Sequence, residues 1–348
     1  MANWTDNLVE KVNTAAEAVK NIGDINDVDV ATAPRDLVWE DGKVKLYHFA
    51  RNEAPKAKTP ILISYALVNR WAMMDLQPDR SFIRKLISEG IDVYVIDWGY
   101  PTRSDRYKTM EDYIQGDLDQ CVDYIRHHHN IDKVNLLGVC QGGTFSLIYT
   151  ALHPEKIRNL ITLVTPVEFA NNNGLLFKWA KTMDVDSLIE AFGGIIPGDF
   201  LNFGFDLLKP MNKMRKYVGF NDVAKDKDVL MNFLRMEKWV ADSPAQAGET
   251  YRKFIKDLYQ GNKLSQGTFE LGCKKVDLKK INVPVLTIYA KEDHIVPPDS
   301  TRPINDLIGS KDSELMEFPG GHIGVFVGSR SQKVLTPAIA KWLVERDN

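Results

Sequence analysis

The sequence predicts an α/β protein: a mostly parallel, doubly wound sheet with a helical cap inserted after the sixth strand. Three observations predict it. Uninterrupted apolar runs at 59–66, 91–97, 133–137, 160–165 and 283–290 alternate with helical patterns, as expected of parallel strands covered on both faces. The alternation stops at Pro166 and resumes only near Val283. A strand-like run also enters, and a helix-like pattern leaves, the stretch Gly138-Val139-Cys140-Gln141-Gly142-Gly143. At 348 residues the length suits one large domain with an insertion, or two smaller domains. The division we expect is an N-terminal helix and tether at 1–33, a core of 34–165 with 271–348, and a cap of 166–270.

Leu8, Val12, Ala15 and Val19 fall on one helical face, with Asp6 available as a cap, and a polar tether follows. Leu37 to Phe49 alternates around Asp41-Gly42, a hairpin signal. Ser81 to Glu89 reads as a helix stopped by Gly90, and Thr109-x-x-Asp112 opens another through a capping box in which Asp replaces the usual Glu. Ile114, Leu118, Cys121, Val122 and Ile125 form the buried stripe of that helix, which makes Cys121 a packing residue. Thr144 to Leu152 is the helix after the Gly-rich turn, stopped at His153-Pro154. The stretch 166–270 is rich in aromatic residues, with helical patterns broken at Gly193-Gly194 and Pro197-Gly198. Thr301 to Ile308 reads as a helix, Ser313 to Phe318 as the last strand, and Gln332 to Glu345 as the final helix.

Composition narrows the function. A net charge of −3 and a pI near 6.2 give no reason to expect nucleic-acid binding. There is no apolar run of 18 residues and no basic-then-apolar leader, so neither a membrane span nor a secretory signal is expected. Three widely spaced cysteines argue against a disulfide framework and for a reducing compartment. A cytoplasmic protein is expected.

The chemistry centres on Gly138 to Gly143. Strand, sharp turn and helix are the layout of a nucleophile elbow, the mark of the α/β-hydrolase fold. Its central residue takes strained backbone angles, and the flanking glycines leave room for the crossing. That central residue is usually Ser and here is Cys140. In this architecture the acid follows the penultimate strand and the histidine follows the last one. The sequence supplies Glu292-Asp293-His294-Ile295-Val296-Pro297 and Pro319-Gly320-Gly321-His322 at those places. Glu292 competes with Asp293 for the acid role, and the Asp-x-x-Val-Pro spacing favours Asp293. The expected triad is Cys140, His322 and Asp293. Oxyanion donors are expected from the backbone N–H of Gln141 and from Val68 or Asn69 after the third strand. His294 and Asp75 are expected to support the triad from behind.

Other features carry less. His127-His128-His129 on a helix point about 100° apart and cannot converge on one metal ion, so no metal is expected. Cys273 has no His or Cys at ligand spacing, and no phosphate loop or Gly-x-Gly-x-x-Gly is present.

Cysteine in place of serine favours a reaction class. A thiolate attacking an oxygen ester forms a higher-energy thioester, whereas attack on a thioester is close to isoenergetic and keeps the acyl group activated. A hydroxyl can then take that acyl group downhill to an ester. Acyl transfer from a thioester to an alcohol is therefore expected, with water kept out by the aromatic cap.

From about residue 37 onward the chain resembles the polyhydroxyalkanoate synthases. The carriers are Gly138 to Gly143, Met74-Asp75-Leu76-Gln77-Pro78, Asp97-Trp98-Gly99-Tyr100-Pro101 and Pro319-Gly320-Gly321-His322-Ile323-Gly324. The length resembles the catalytic subunit of the class III, two-subunit synthases, with class IV as runner-up. The resemblance implies polymerisation of (R)-3-hydroxyacyl-CoA, mainly 3-hydroxybutyryl-CoA, with CoA as part of substrate and product and no separate cofactor. Cys140 would carry the acyl chain, with Asp293 and His322 at the other two catalytic positions. It also implies a companion synthase subunit (PhaE-like, or PhaR-like as runner-up), a homodimer or hetero-oligomer, and attachment to polyhydroxyalkanoate granules. The alternatives are a polyester depolymerase or thioesterase on the same fold, and a non-catalytic granule scaffold.

Overall fold

The computed structural model describes residues 27–51, 54–170, 174–208 and 220–347. Eight strands form one sheet: β1 (Asp36–Asp41), β2 (Val44–Phe49), β3 (Ile61–Ser64), β4 (Val93–Asp97), β5 (Val134–Val139), β6 (Ile157–Leu163), β7 (Val285–Ala290) and β8 (Ser313–Phe318). Their order across the sheet is β1-β2-β4-β3-β5-β6-β7-β8. β2 runs antiparallel to β1 and β4, and every later pair is parallel. In the hairpin, Asp41 pairs with Val44, so the two-residue turn is Gly42-Lys43, one position later than the Asp41-Gly42 signal implies. Gly42, at φ +56°, takes the left-handed position where a Cβ would be strained.

Among the described residues the α-helices of six or more residues are α1 (Phe82–Ser88), α2 (Asp119–His129), α3 (Gln141–Leu152), α4 (Leu175–Thr182), α5 (Val185–Ala191), α6 (Gly198–Leu208), α7 (Lys227–Ala241), α8 (Gly248–Lys253) and α9 (Thr336–Glu345). The Ser81 hydroxyl accepts from the N–H of Arg84 to cap α1. The Thr109–Asp112 box closes in both directions, at 2.7 and 3.1 Å, so the shorter Asp side chain suffices. It opens a wide π turn (Asp112–Leu118) that leads into α2. The helix expected over 301–308 is instead two short turns, Pro298–Thr301 and Ile304–Leu307. Pro303 between them has no N–H to continue a helix.

Alternation along the buried strands feeds two cores. Tyr94 and Ile96 of β4 and Val134 and Leu136 of β5 join the core beneath α2 and α3. Val93 and Val95, with Leu137 and Val139, join the core beneath α1 and α9. Both faces are covered, which is why these strands read as continuous apolar runs. Helices α4 to α8 lie between β6 and β7 in the chain. The aromatic residues of this stretch interlock: Phe169, Phe177, Phe254 and Tyr259 meet at ring separations of 4.9 to 6.0 Å, and Phe254 contacts Phe145 of α3 at 6.3 Å.

The amphipathic face of Leu8, Val12, Ala15 and Val19 lies outside the described residues. Part of the stretch read as a tether is anchored: Ala31 N–H donates to the Asp75 carbonyl at 2.8 Å, and Asp29 pairs with Arg235 of α7 at 2.6 Å. Among the described residues no helix is long and apolar enough to cross a membrane.

Candidate active site

Cys140 sits between β5 and α3 with φ +53° and ψ −120°. Few non-glycine residues hold such angles, and the close packing around the turn maintains them. A Cβ on Gly138 would come within 2.4 Å of the Gly143 Cα, and one on Gly142 within 2.2 Å of the Ser64 carbonyl oxygen. A Cβ on Gly143 would meet the Thr165 Oγ1 at 1.8 Å. The glycines are therefore a requirement of helix α3 crossing close over β3 and the end of β6. The turn lifts the Cys140 side chain to the N-terminus of α3, where free N–H groups and the helix dipole favour negative charge.

His322 follows β8 and Asp293 follows β7. The His322 Nδ1 meets the Asp293 Oδ2 at 2.6 Å, and both residues are buried. The other Asp293 oxygen accepts the N–H groups of Ile295 and Val296, each at 2.9 Å, so the carboxylate is held in place by backbone. Asp293 makes this contact while Glu292 is exposed. With Nδ1 committed to Asp293, Nε2 is the ring nitrogen available to Cys140, which lines the same cavity as His322. Burial alone pushes His322 down; the Asp293 carboxylate and Cys140 outweigh it and raise the imidazole to about 10. The imidazole and carboxylate are joined, and Cys140 and His322 line one cavity.

Cys140 and His322 open into a cavity of about 290 Å³, lined mainly by apolar and aromatic side chains from the loop after β3 and from α4, α6, α7 and the segment 246–259. Tyr65 and Tyr259 line the same cavity, and burial first, then Cys140, pushes both phenols upward, so they stay protonated. Gln141, Val68 and Asn69 line this cavity. The Gln141 Oε1 accepts the N–H of Leu67 at 3.1 Å, which ties the elbow to the loop carrying Val68 and Asn69.

Two expected supports lie elsewhere. The carboxylate of Asp75 is fully buried and accepts from Ala33 N–H at 2.6 Å and Arg84 Nε at 3.1 Å. It ties the segment 31–33 to α1, not to Cys140, His322 or Asp293. His294 is half-buried and does not line the cavity; the backbone N–H groups beyond it hold Asp293. The His127-His128-His129 run ends α2, and His129 Nε2 contacts the Tyr94 hydroxyl at 2.8 Å. Among the described residues no three His, Cys, Asp or Glu side chains are grouped to hold a metal ion. Cys121 is buried and Cys273 exposed.

Sequence reasoning missed Tyr65, Tyr259, Gln246 and Trp239 as cavity residues. The last three sit in the insert, far along the chain from any motif, and only the aromatic richness of 166–270 hints at them. It also missed the node at Arg70. Its guanidinium pairs with Asp97 and with Asp242 and stacks on Tyr100, while its carbonyl accepts Trp239 Nε1 at 2.8 Å. The Asp97-Trp98-Gly99-Tyr100-Pro101 motif therefore clamps α7 to the loop after β3.

Comparison with known proteins agrees with this architecture. Residues 60–329 match the family model described as the α/β hydrolase fold. A solved monoacylglycerol lipase from Paleococcus ferrophilus superposes with a TM-score of 0.56 at 17% identity, over 88% of this chain and 100% of that one, a likeness of fold. The chain is 49% identical over 345 residues to the poly(3-hydroxyalkanoate) polymerase subunit PhaC of Allochromatium vinosum, covering 98% of this chain and 97% of that protein. It is 45% identical over 350 residues to the protein of the same name from Synechocystis sp., covering 98% and 92%. On fold, site layout and near full-length identity together, the chain belongs to the poly(3-hydroxyalkanoate) polymerase subunit PhaC family, within the α/β hydrolase fold.

Proposed function

We propose that this member of the polymerase family works through a Cys140–His322–Asp293 triad. It draws (R)-3-hydroxyacyl groups from CoA thioesters and passes them to the hydroxyl end of a polyester. The observation that supports this reading best is the His322 imidazole fixed through Nδ1 on Asp293 and facing Cys140 at the wall of an apolar cavity. His322 Nε2 takes the thiol proton and the thiolate attacks the thioester carbonyl. The oxyanion is met by the N–H of Gln141 and one from Val68 or Asn69. The bond to CoA sulfur breaks, and that thiolate leaves with the proton from His322. In the second half a substrate hydroxyl gives its proton to Nε2, its oxygen bonds to the acyl carbon, and the Cys140 thioester breaks to return the thiol.

Cysteine suits this cycle because the acyl-enzyme stays as activated as the donor. The apolar lining keeps water from diverting it to the free acid, and the insert over 166–270 acts as a lid. CoA enters as part of the thioester substrate and leaves as product, and no further cofactor is needed. The relatives are named as subunits, which supports a companion synthase subunit here too. Phe203 and Leu207 of α6, exposed on the helix that helps line the cavity, suit contact with an apolar polymer granule in the cytoplasm.

The test is brief exposure to 3-hydroxybutyryl-CoA followed by mass analysis. A mass increase on Cys140 by one or more hydroxyacyl units is expected, together with CoA release that the Cys140→Ala variant lacks. Free 3-hydroxybutyrate in place of polymer, or unchanged CoA release in that variant, would overturn the reading.

A further inference from the structure

Two cavity groups are left over by the triad chemistry. Among the described residues, the buried side-chain nitrogens and oxygens without a hydrogen-bond partner that belong to the lining of the Cys140 cavity are Asn69 Nδ2 and Gln246 Oε1. Gln246 is only 2% exposed. Both residues also border a water-sized void of about 10 Å³ that opens off the same wall. Buried polar atoms are rarely left unpaired, and those that are point to a missing partner.

The two side chains come from segments far apart in the chain and are each held in place. Asn69 stands in the loop after β3 at φ +55°, a left-handed conformation that Asn tolerates better than most residues. On one side of it, Leu67 N–H is bound by Gln141, and on the other the Arg70 carbonyl accepts Trp239 Nε1. Gln246 lies on the two-residue strand Gln246–Ala247, paired antiparallel with Ile195–Ile196 in the insert. An unpaired donor and an unpaired acceptor in the lining of one cavity are the complement of a hydroxyl, which can accept one hydrogen bond and donate one. Each amide also carries both a donor and an acceptor, so the pair meets a hydroxyl in either orientation.

We infer that Asn69 and Gln246 bind the 3-hydroxyl of the acyl group delivered to Cys140 and select hydroxyacyl thioesters of one configuration. This rests on the function proposed above and adds the part of the substrate that is recognised. A thioester without the hydroxyl leaves both amides unpaired in an apolar wall. Sites built to bond a substrate hydroxyl reject its absence far more strongly than apolar pockets reject a missing methylene. Two fixed partners also set where the hydroxyl lies around C3; with the carbonyl at Cys140 the opposite enantiomer must exchange its C3 hydrogen and alkyl group, and the apolar wall beside C3 then decides between the two.

The experiment is single-turnover acylation of Cys140, with enzyme in excess so that one acyl group enters per site. Rates are read by mass for (R)-3-hydroxybutyryl-CoA, its (S) enantiomer and butyryl-CoA. The parent is expected to prefer the (R) hydroxy substrate by at least about a hundredfold. Gln246→Met keeps length without the polar atoms, and Asn69→Gly keeps the left-handed backbone. Each is expected to bring the ratio of (R)-hydroxy to unsubstituted acylation rates within about tenfold, whatever the change in absolute rate, with a melting temperature like the parent's. A parent without preference overturns the inference. So does equal slowing of all three thioesters, which would assign the amides to the CoA arm. Absence of acylation of the parent by any thioester overturns the function reading itself, and this inference with it.

Discussion

Replacing Asp293 by Asn tests the triad with little disturbance of the fold. The carboxylate accepts three N–H groups: His322 Nδ1 at 2.6 Å and the backbone of Ile295 and Val296 at 2.9 Å each. In Asp293→Asn the amide oxygen can keep the two backbone bonds, which turns the NH₂ group toward His322. Nδ1 must then accept, the ring proton moves to Nε2, and Nε2 can no longer take the thiol proton. The imidazolium formed during the reaction also loses its counter-charge. Removing one partner of a buried, hydrogen-bonded charge pair costs about 3–5 kcal/mol. At 1.36 kcal/mol per decade of rate that is a loss of about a hundredfold to several thousandfold. The assay is CoA release from 3-hydroxybutyryl-CoA, with melting temperature measured alongside. A rate within tenfold of the parent in a folded variant would refute the claim that Asp293 sets the state of His322. A variant that fails to fold would refute the claim that the two backbone bonds suffice to hold the loop.

In Cys140→Ser, acylation by the thioester is expected to slow by at least about a hundredfold, and the oxygen ester it forms should not be passed on; polymer formation at the parent rate would contradict this. His322 has its imidazole raised from 6.5 to about 10 in the fold. A raised histidine contributes stability that is fully present below pH 6.5 and is lost as pH climbs through about 10. The melting difference between parent and His322→Gln should therefore shrink over that window; a difference that grows with pH would reverse the sign. Gly143→Ala puts a Cβ 1.8 Å from the Thr165 Oγ1, an overpacking expected to cost about 1–3 kcal/mol or more. Thr165→Ala should recover part of that loss in a double-mutant cycle, and purely additive effects would count against the contact.

What the sequence determined by itself is the sheet and the placement of Cys140, Asp293 and His322 at its strand ends. Parallel strands buried on both faces must be apolar throughout, so runs such as 91–97 and 283–290 announce themselves. A helix crossing directly over a strand tolerates no Cβ at Gly138, Gly142 or Gly143, so the elbow leaves a motif. Asp293 and His322 could be read because each must end a particular strand, and the strand ends are legible. What only the tertiary structure decided is everything set by contacts between distant segments. Asp75 belongs to a motif but spends its carboxylate on Ala33 and Arg84, and no local pattern distinguishes an anchor from a support of the active site. Pro303 divides one expected helix into two turns. The cavity wall brings Asn69, Trp239, Gln246 and Tyr259 together from segments that share no periodicity. An aromatic or amide side chain can line a pocket at many sequence positions, and only packing selects which ones do.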